Sequence, residues 1–173
     1  MDLLIIFDTE QISLYFLFAA AVHELGHFVM IRLCGGHLLQ FRLGALGGVI
    51  RYYLPKRSTW RELVICLGGC AFGLMLACAA ALLSCPMLCG ASTILTVFNL
   101  LPISYLDGGR ALHLLFGENA ILRLLECFFV ALLLSLGLAA ALEWNAYGLL
   151  IMAAIPMFLL QTHLHRRKKQ GMI

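Results

Sequence analysis

About 20 consecutive apolar residues are needed for a helix to cross the hydrocarbon core of a bilayer. Residues 12–31 meet that length, yet His23, Glu24 and His27 sit in their midst, in the run FAAAVHELGHFVMI. Ionisable groups at such depth oppose insertion by roughly a few kcal/mol each and are rare in spans. Where they occur they turn toward a bundle interior or a wet cavity and mark a functional position. This single run therefore fixes the solvent of the fold and the direction in which three of its side chains must point.

The remainder of the chain has the same character. Its 173 residues are 62% hydrophobic and 12% charged, about half the charged share of a soluble domain. The expected fold is an all-α polytopic membrane protein, a single domain over residues 1–173. Further apolar runs fall at residues 63–83, at about 91–116 with Pro102 inside, at 121–142 and at 146–160 with Pro156. That predicts about five transmembrane helices: a three-span core over about 12–116, two further spans, and a basic tail at 161–173. Arg32, Arg42, Arg51, Lys56, Arg57 and Arg61 lie between the first two runs, while residues 84–90 carry no charge. Arg110 and Arg123 flank the next turn, Glu143 stands alone after the fourth run, and the tail reads HRRKKQ. Basic residues thus alternate sides, placing the N-terminus outside and the C-terminus in the cytoplasm. The net charge of +3 is spread over loops and tail, which excludes a nucleic-acid surface. Residues 1–11 hold Asp2, Asp8 and Glu10 without a basic start, so no cleavable signal peptide is expected.

Two local features add detail. The stretch RLGALGGVIRYYLP, residues 42–55, is too polar and glycine-rich to span, but Val49, Ile50, Tyr52 and Tyr53 favour strands. It reads as a short re-entrant β-hairpin after the first span, tolerated at membrane depth only where protein or a wet cavity covers it. Of the seven cysteines, most are expected to act as small apolar packing residues. Cys85 and Cys89 flank PML in a loop at 84–90, where a disulfide could form if that side is oxidising.

His23 and His27 are four residues apart and so share one helix face, about 6 Å from each other. Neutral imidazoles at that spacing can both ligate zinc, and an adjacent Glu24 can serve a water there. A catalytic site needs a third protein ligand. The embedded acids besides Glu24 are Asp107, in NLLPISYLDGGR at 99–110, and Glu126. At about 1.5 Å per residue, His23 and His27 lie roughly 16 and 22 Å in from Ile12, and Asp107 roughly 22 Å in from Ser92. Glu126, entering from the opposite side, stays within about 10 Å of the inner face, which favours Asp107. Gly108 and Gly109 permit close backbone approach beside Asp107, and Pro102 interrupts the run before it. Asn99 serves equally as an interhelical hydrogen-bonding group or as a catalytic one. His37, His113, His163 and His165 fall in loops or at span ends, where solvation is expected.

HELGH in a first core span followed by NLLPISYLDGGR in a third resembles the site-2 protease family (peptidase family M50) of intramembrane zinc metalloproteases. The NLLPI…LDGG wording is most similar to the bacterial sporulation branch. The resemblance covers residues 12–116 and implies one zinc per chain on His23, His27 and Asp107, with Glu24 as catalytic base and Asn99 positioning the substrate. It also implies that the strand around Gly48, Val49 and Ile50 pairs with an unwound segment of a membrane-protein substrate. The expected setting is a bacterial cell membrane, with a regulatory membrane partner and no nucleic acid. One departure stands out: where the family often has Gly-Pro-x-x-Asn, this chain reads GGCAFG at 68–73, with Cys70 for the proline and Gly73 for the asparagine. That puts a second substrate-positioning amide in question. No PDZ or nucleotide-sensing domain is evident, so the expected protein is close to a minimal catalytic core. The rival expectation is a non-enzymatic metal-binding membrane protein, either a carrier or an inactive partner of another protease.

Overall fold

The computed structural model describes residues 12–44 and 47–144. The expected fifth span at 146–160, the basic tail at 161–173 and the N-terminal segment 1–11 lie outside the described residues. Two compact units divide the chain, Met1–Leu100 and Leu101–Ile173. The described residues form five helices and one two-stranded hairpin. Among the described residues three helical stretches are long and apolar enough to cross a membrane, Ile12–Leu33, Thr59–Leu82 and Ala120–Ala139.

In the first unit, α1 (Ile12–Leu33) carries the HELGH run. It ends where CGG stands in the sequence: Gly35 takes φ +77°, Gly36 N–H donates to Ile31 O at 2.8 Å and Gly35 N–H to Arg32 O at 3.0 Å. These two bonds form a Schellman cap, which needs a left-handed residue that glycine adopts without strain. The chain turns at once into β1 (His37–Gly44), which pairs antiparallel with β2 (Gly47–Tyr53). The first strand begins five residues ahead of the expected stretch. A register shift between Leu38 and Gln40 marks a bulge, and a bulge breaks the period-two alternation by which a strand is read from sequence. Along β2, Ile50 and Tyr52 pack on the core formed by Ile31, Leu54 and Ile65, while Arg51 and Tyr53 are exposed.

Helix α2 (Thr59–Leu82) follows and crosses α1 backbone to backbone. A Cβ added at Gly26 would stand 2.8 Å from Phe72 Cβ, and one at Gly68 would stand 2.9 Å from Gly26 O. Paired small residues at one level are how helices approach closely in lipid, where no hydrophobic force draws them together. A second Schellman cap ends α2: Ser84 has φ +55°, Cys85 N–H donates to Ala80 O at 2.8 Å and Ser84 N–H to Ala81 O at 3.1 Å. Pro86 then opens α3 (Pro86–Asn99), the position where its missing N–H and fixed φ suit a helix start. Residues 84–90 are therefore not a loop. Cys85 and Cys89 are thiols one turn apart at the start of α3, the Cys89 N–H donating to Cys85 O at 3.1 Å.

The third apolar run is two helices rather than one. The chain leaves helical geometry after α3, and α4 (Asp107–Phe116) opens the helical part of the second unit. Proline at 102 lacks the N–H a continuous helix would need, and the segment closes instead on Ile103 N–H to Leu101 O and Leu106 N–H to Ile103 O, both 2.8 Å. The constant rise of 1.5 Å per residue therefore does not run from Ser92 to Asp107, and the depth expected for Asp107 on that basis is withdrawn. The last described helix, α5 (Ala120–Trp144), is capped by Asn119, whose Oδ1 accepts the Leu122 N–H at 2.8 Å, the usual use of asparagine at a helix start.

Candidate metal centre

In the first unit, α1 turns His23 and His27 to its buried side. Their Nε2 atoms stand 3.2 Å apart, with the rings edge to face. His27 Nδ1 lies 2.8 Å from Ile65 O. A carbonyl only accepts, so Nδ1 carries the proton and a neutral His27 presents a lone pair at Nε2. A histidine locked in this way by its other nitrogen is in the state and orientation that metal ligation requires. Two nitrogens bound to one tetrahedral zinc at about 2.0–2.1 Å would be about 3.3 Å apart. The pair fits zinc.

The hairpin and α2 hold this arrangement. Ile65 is clamped in the core with Ile31 and Leu54, and Ile50 and Tyr52 of β2 close over it. Gly69, one turn after Ile65 on α2, leaves room for the rings: a Cβ there would stand 2.6 Å from His23 Nε2 and would run into His27 Nε2 as well. Glu24 follows His23 on α1 and is half-buried. Next to Gly69, the buried Cys70 brings its thiol within 4.8 Å of a ring nitrogen of His23.

The other expected site residues fall as follows. Asn99 ends α3 half-buried, its amide donating to Leu95 O at 3.0 Å within its own helix. Gly48, Val49 and Ile50 are consecutive on β2, opposite Leu43, Arg42 and Phe41. Asp107 belongs to the second unit, where it is buried as the first residue of α4. Gly109, in the same turn, is where Ile103 O packs directly onto the helix, and a Cβ there would stand 2.7 Å from Ser104 N as well. Glu126, weighed against Asp107 as an embedded acid, is buried with Oε1 accepting the Ser104 N–H at 2.8 Å. That bond secures the irregular segment leading into Asp107. His113 is half-buried rather than solvated, with Nε2 3.1 Å from Ser104 Oγ.

The departure at Gly73 has a packing reason. Gly73 faces Thr96 of α3 so closely that a Cβ would meet Thr96 Oγ1. Ser92 Oγ donates to Gly73 O at 2.7 Å, and Thr96 Oγ1 donates to Ser92 O at 2.8 Å. An asparagine at 73 has no room in this crossing. Gly73→Asn should destabilise the detergent-solubilised protein by about 1–3 kcal/mol, the usual effect of overpacking. Adding Thr96→Ala should recover much of that loss in a thermal melt. A melt unchanged by Gly73→Asn would show that the crossing is looser than described.

Residues 11–89 match peptidase family M50. Over 63 residues the chain is 43% identical to "Probable zinc metalloprotease EGY1, chloroplastic" of Arabidopsis thaliana, and 43% identical over 63 residues to "DDT domain-containing protein PTM" of the same plant. Each matched stretch is 36% of this chain but spans only 11% and 4% of those two proteins. The likeness to peptidase family M50 thus rests on the segment that carries α1, the hairpin and α2, the same segment that brings His23 and His27 together.

Proposed function

We propose that this chain is a zinc-dependent intramembrane metalloendopeptidase, hydrolysing a peptide bond in or near a transmembrane segment of a membrane-protein substrate. The observation that carries the reading is the His23–His27 pair: two Nε2 atoms 3.2 Å apart, one fixed by Ile65 O, on a helix apolar enough to lie in lipid. His23, His27 and Asp107 would hold one zinc per chain. When bound, the metal acidifies water and polarises the scissile carbonyl. Glu24 accepts the proton of the attacking water on its carboxylate and delivers it to the leaving amine. Asn99 has a second amide N–H beyond the one given to Leu95 O, and donates it to the scissile carbonyl oxygen as charge develops there.

A helical substrate hides its peptide bonds in its own hydrogen bonds, so it must unwind locally. The backbone of Gly48, Val49 and Ile50 takes up those freed groups by edge pairing, while the Ile50 side chain stays in the core. We further assign the protein to a bacterial cell membrane, as a multi-pass protein with its N-terminus outside and its C-terminus cytoplasmic. The NLLPISYLDGG wording supports regulated proteolysis of the sporulation type, under a regulatory membrane partner.

Metal analysis tests the reading. Protein purified in detergent should carry about one zinc, and Asp107→Ala should weaken its retention strongly. The double variant His23→Ala/His27→Ala should carry none and should fail to cleave any co-expressed membrane protein that the wild type cleaves. Unchanged zinc in that double variant would remove the site.

A further inference from the structure

The first unit offers the metal one donor more than the reading above uses. Cys70 is buried, stands next to the glycine against which both imidazole rings rest, and has its sulfur within 4.8 Å of a His23 ring nitrogen. In a tetrahedral zinc site, with Zn–S about 2.3 Å and Zn–N about 2.0 Å, sulfur and nitrogen are about 3.5 Å apart. Binding one metal ion would draw the two atoms together by that difference. A buried thiol this near one histidine of a pair, whose other member is already locked for ligation, is a different situation from a cysteine that only packs.

We infer that Cys70 is a ligand to the metal in the resting protein, an inference that rests on the metalloprotease reading of the same site. On binding, the thiol gives its proton to solvent as the S–Zn bond forms. Added to the three ligands proposed above, Cys70 would make four protein donors. Four protein donors are the pattern of a closed structural zinc site, whereas hydrolysis needs one position open. Cys70 therefore masks the site, and substrate entry displaces it.

Cobalt reports this directly, because a thiolate ligand gives a charge-transfer band in the near ultraviolet that nitrogen and oxygen ligands do not. The full chain in detergent, loaded with Co²⁺, should show that band. Cys70→Ala should lose it while keeping about one equivalent of cobalt, with the visible ligand-field absorption showing a folded site. Cys66→Ala, one turn earlier on α2, should keep it. Zinc-loaded Cys70→Ala should also cleave substrate at least as fast as the wild type, since masking is relieved. Cobalt bound without a thiolate band in the wild type would overturn the inference and leave the histidine site standing. Loss of the band in Cys66→Ala instead, or abolished cleavage in metal-loaded Cys70→Ala, would overturn it too. No cobalt bound by the wild type would defeat the metalloprotease reading and this inference together.

Discussion

Gly69→Ala should strip the protein of its metal while changing the stability of the fold little, by a loss of about 0–2 kcal/mol. The alanine Cβ has two neighbours that cannot both be accommodated, His23 Nε2 at 2.6 Å and His27 Nε2 closer still. Contacts of that kind are cheap to relieve only when the side chain can swing away. His27 cannot do so without breaking its 2.8 Å bond to Ile65 O, which would leave a buried polar group unsatisfied at about 1–3 kcal/mol. Whichever ring moves, the two Nε2 atoms no longer converge at 3.2 Å, and the zinc-binding edge is lost. Helix propensity runs the other way, since alanine in a helix interior is favoured over glycine by about 1 kcal/mol. Zinc content and thermal stability should therefore separate. Gly90→Ala is the control, because a Cβ there meets nothing within 4 Å. It should leave zinc unchanged. Full zinc occupancy in Gly69→Ala would mean that the rings do not rest on α2 as described.

Much of this centre was legible before any fold was known. HELGH needs only the 3.6-residue period to put His23 and His27 on one face, and the length of the apolar run supplies its environment. The stop of α1 and the start of α3 likewise follow from CGG and from Pro86, whose backbone demands are local. What stayed hidden depends on contacts between elements. Cys70 and Gly69 lie more than forty residues from His23, and nothing in GGCAFG says which side of α2 faces α1. Cys70 drew notice only as a departure from a pattern, not as a donor. The role of Glu126 was hidden for the same reason. Its partner is the Ser104 backbone N–H, which has no signature in sequence, so depth was the only criterion available, and the break after α3 removes that criterion.

The broken third run also shows where periodicity misleads. Residues 91–116 are apolar enough to be read as one span around Pro102, and prolines are tolerated within membrane helices when neighbours satisfy the freed groups. Here the segment makes its own bonds, Ile103 N–H to Leu101 O and Leu106 N–H to Ile103 O, and Glu126 takes the Ser104 N–H. With those groups satisfied, an irregular stretch is stable inside an apolar sequence. Its effect is to start a new helix at Asp107, so that this carboxylate sits at a helix terminus. A straight span would have placed it mid-helix, ringed by its neighbours.

Glu24→Gln should lower cleavage by about 10²- to 10⁴-fold, the range a positioned general base supplies, with zinc content unchanged. Glu24 is one residue past His23 and about 60° around the helix from His27, so it flanks the metal-binding face without belonging to it. Glutamine keeps the length and shape of the side chain but has no carboxylate to accept a proton. Removing an ionisable group from a lipid-spanning helix also eases insertion by roughly a few kcal/mol, so lost activity cannot be blamed on a protein that fails to reach the membrane. The same variant separates the enzyme from the carrier. A metal carrier with His23 and His27 as ligands would move metal as well with glutamine at 24 as with glutamate, and would cleave nothing in either form. Metal analysis, membrane expression and cleavage measured on one preparation read all three quantities. Wild-type turnover in Glu24→Gln, with zinc bound, would take the base away from this residue and require another group to carry the proton.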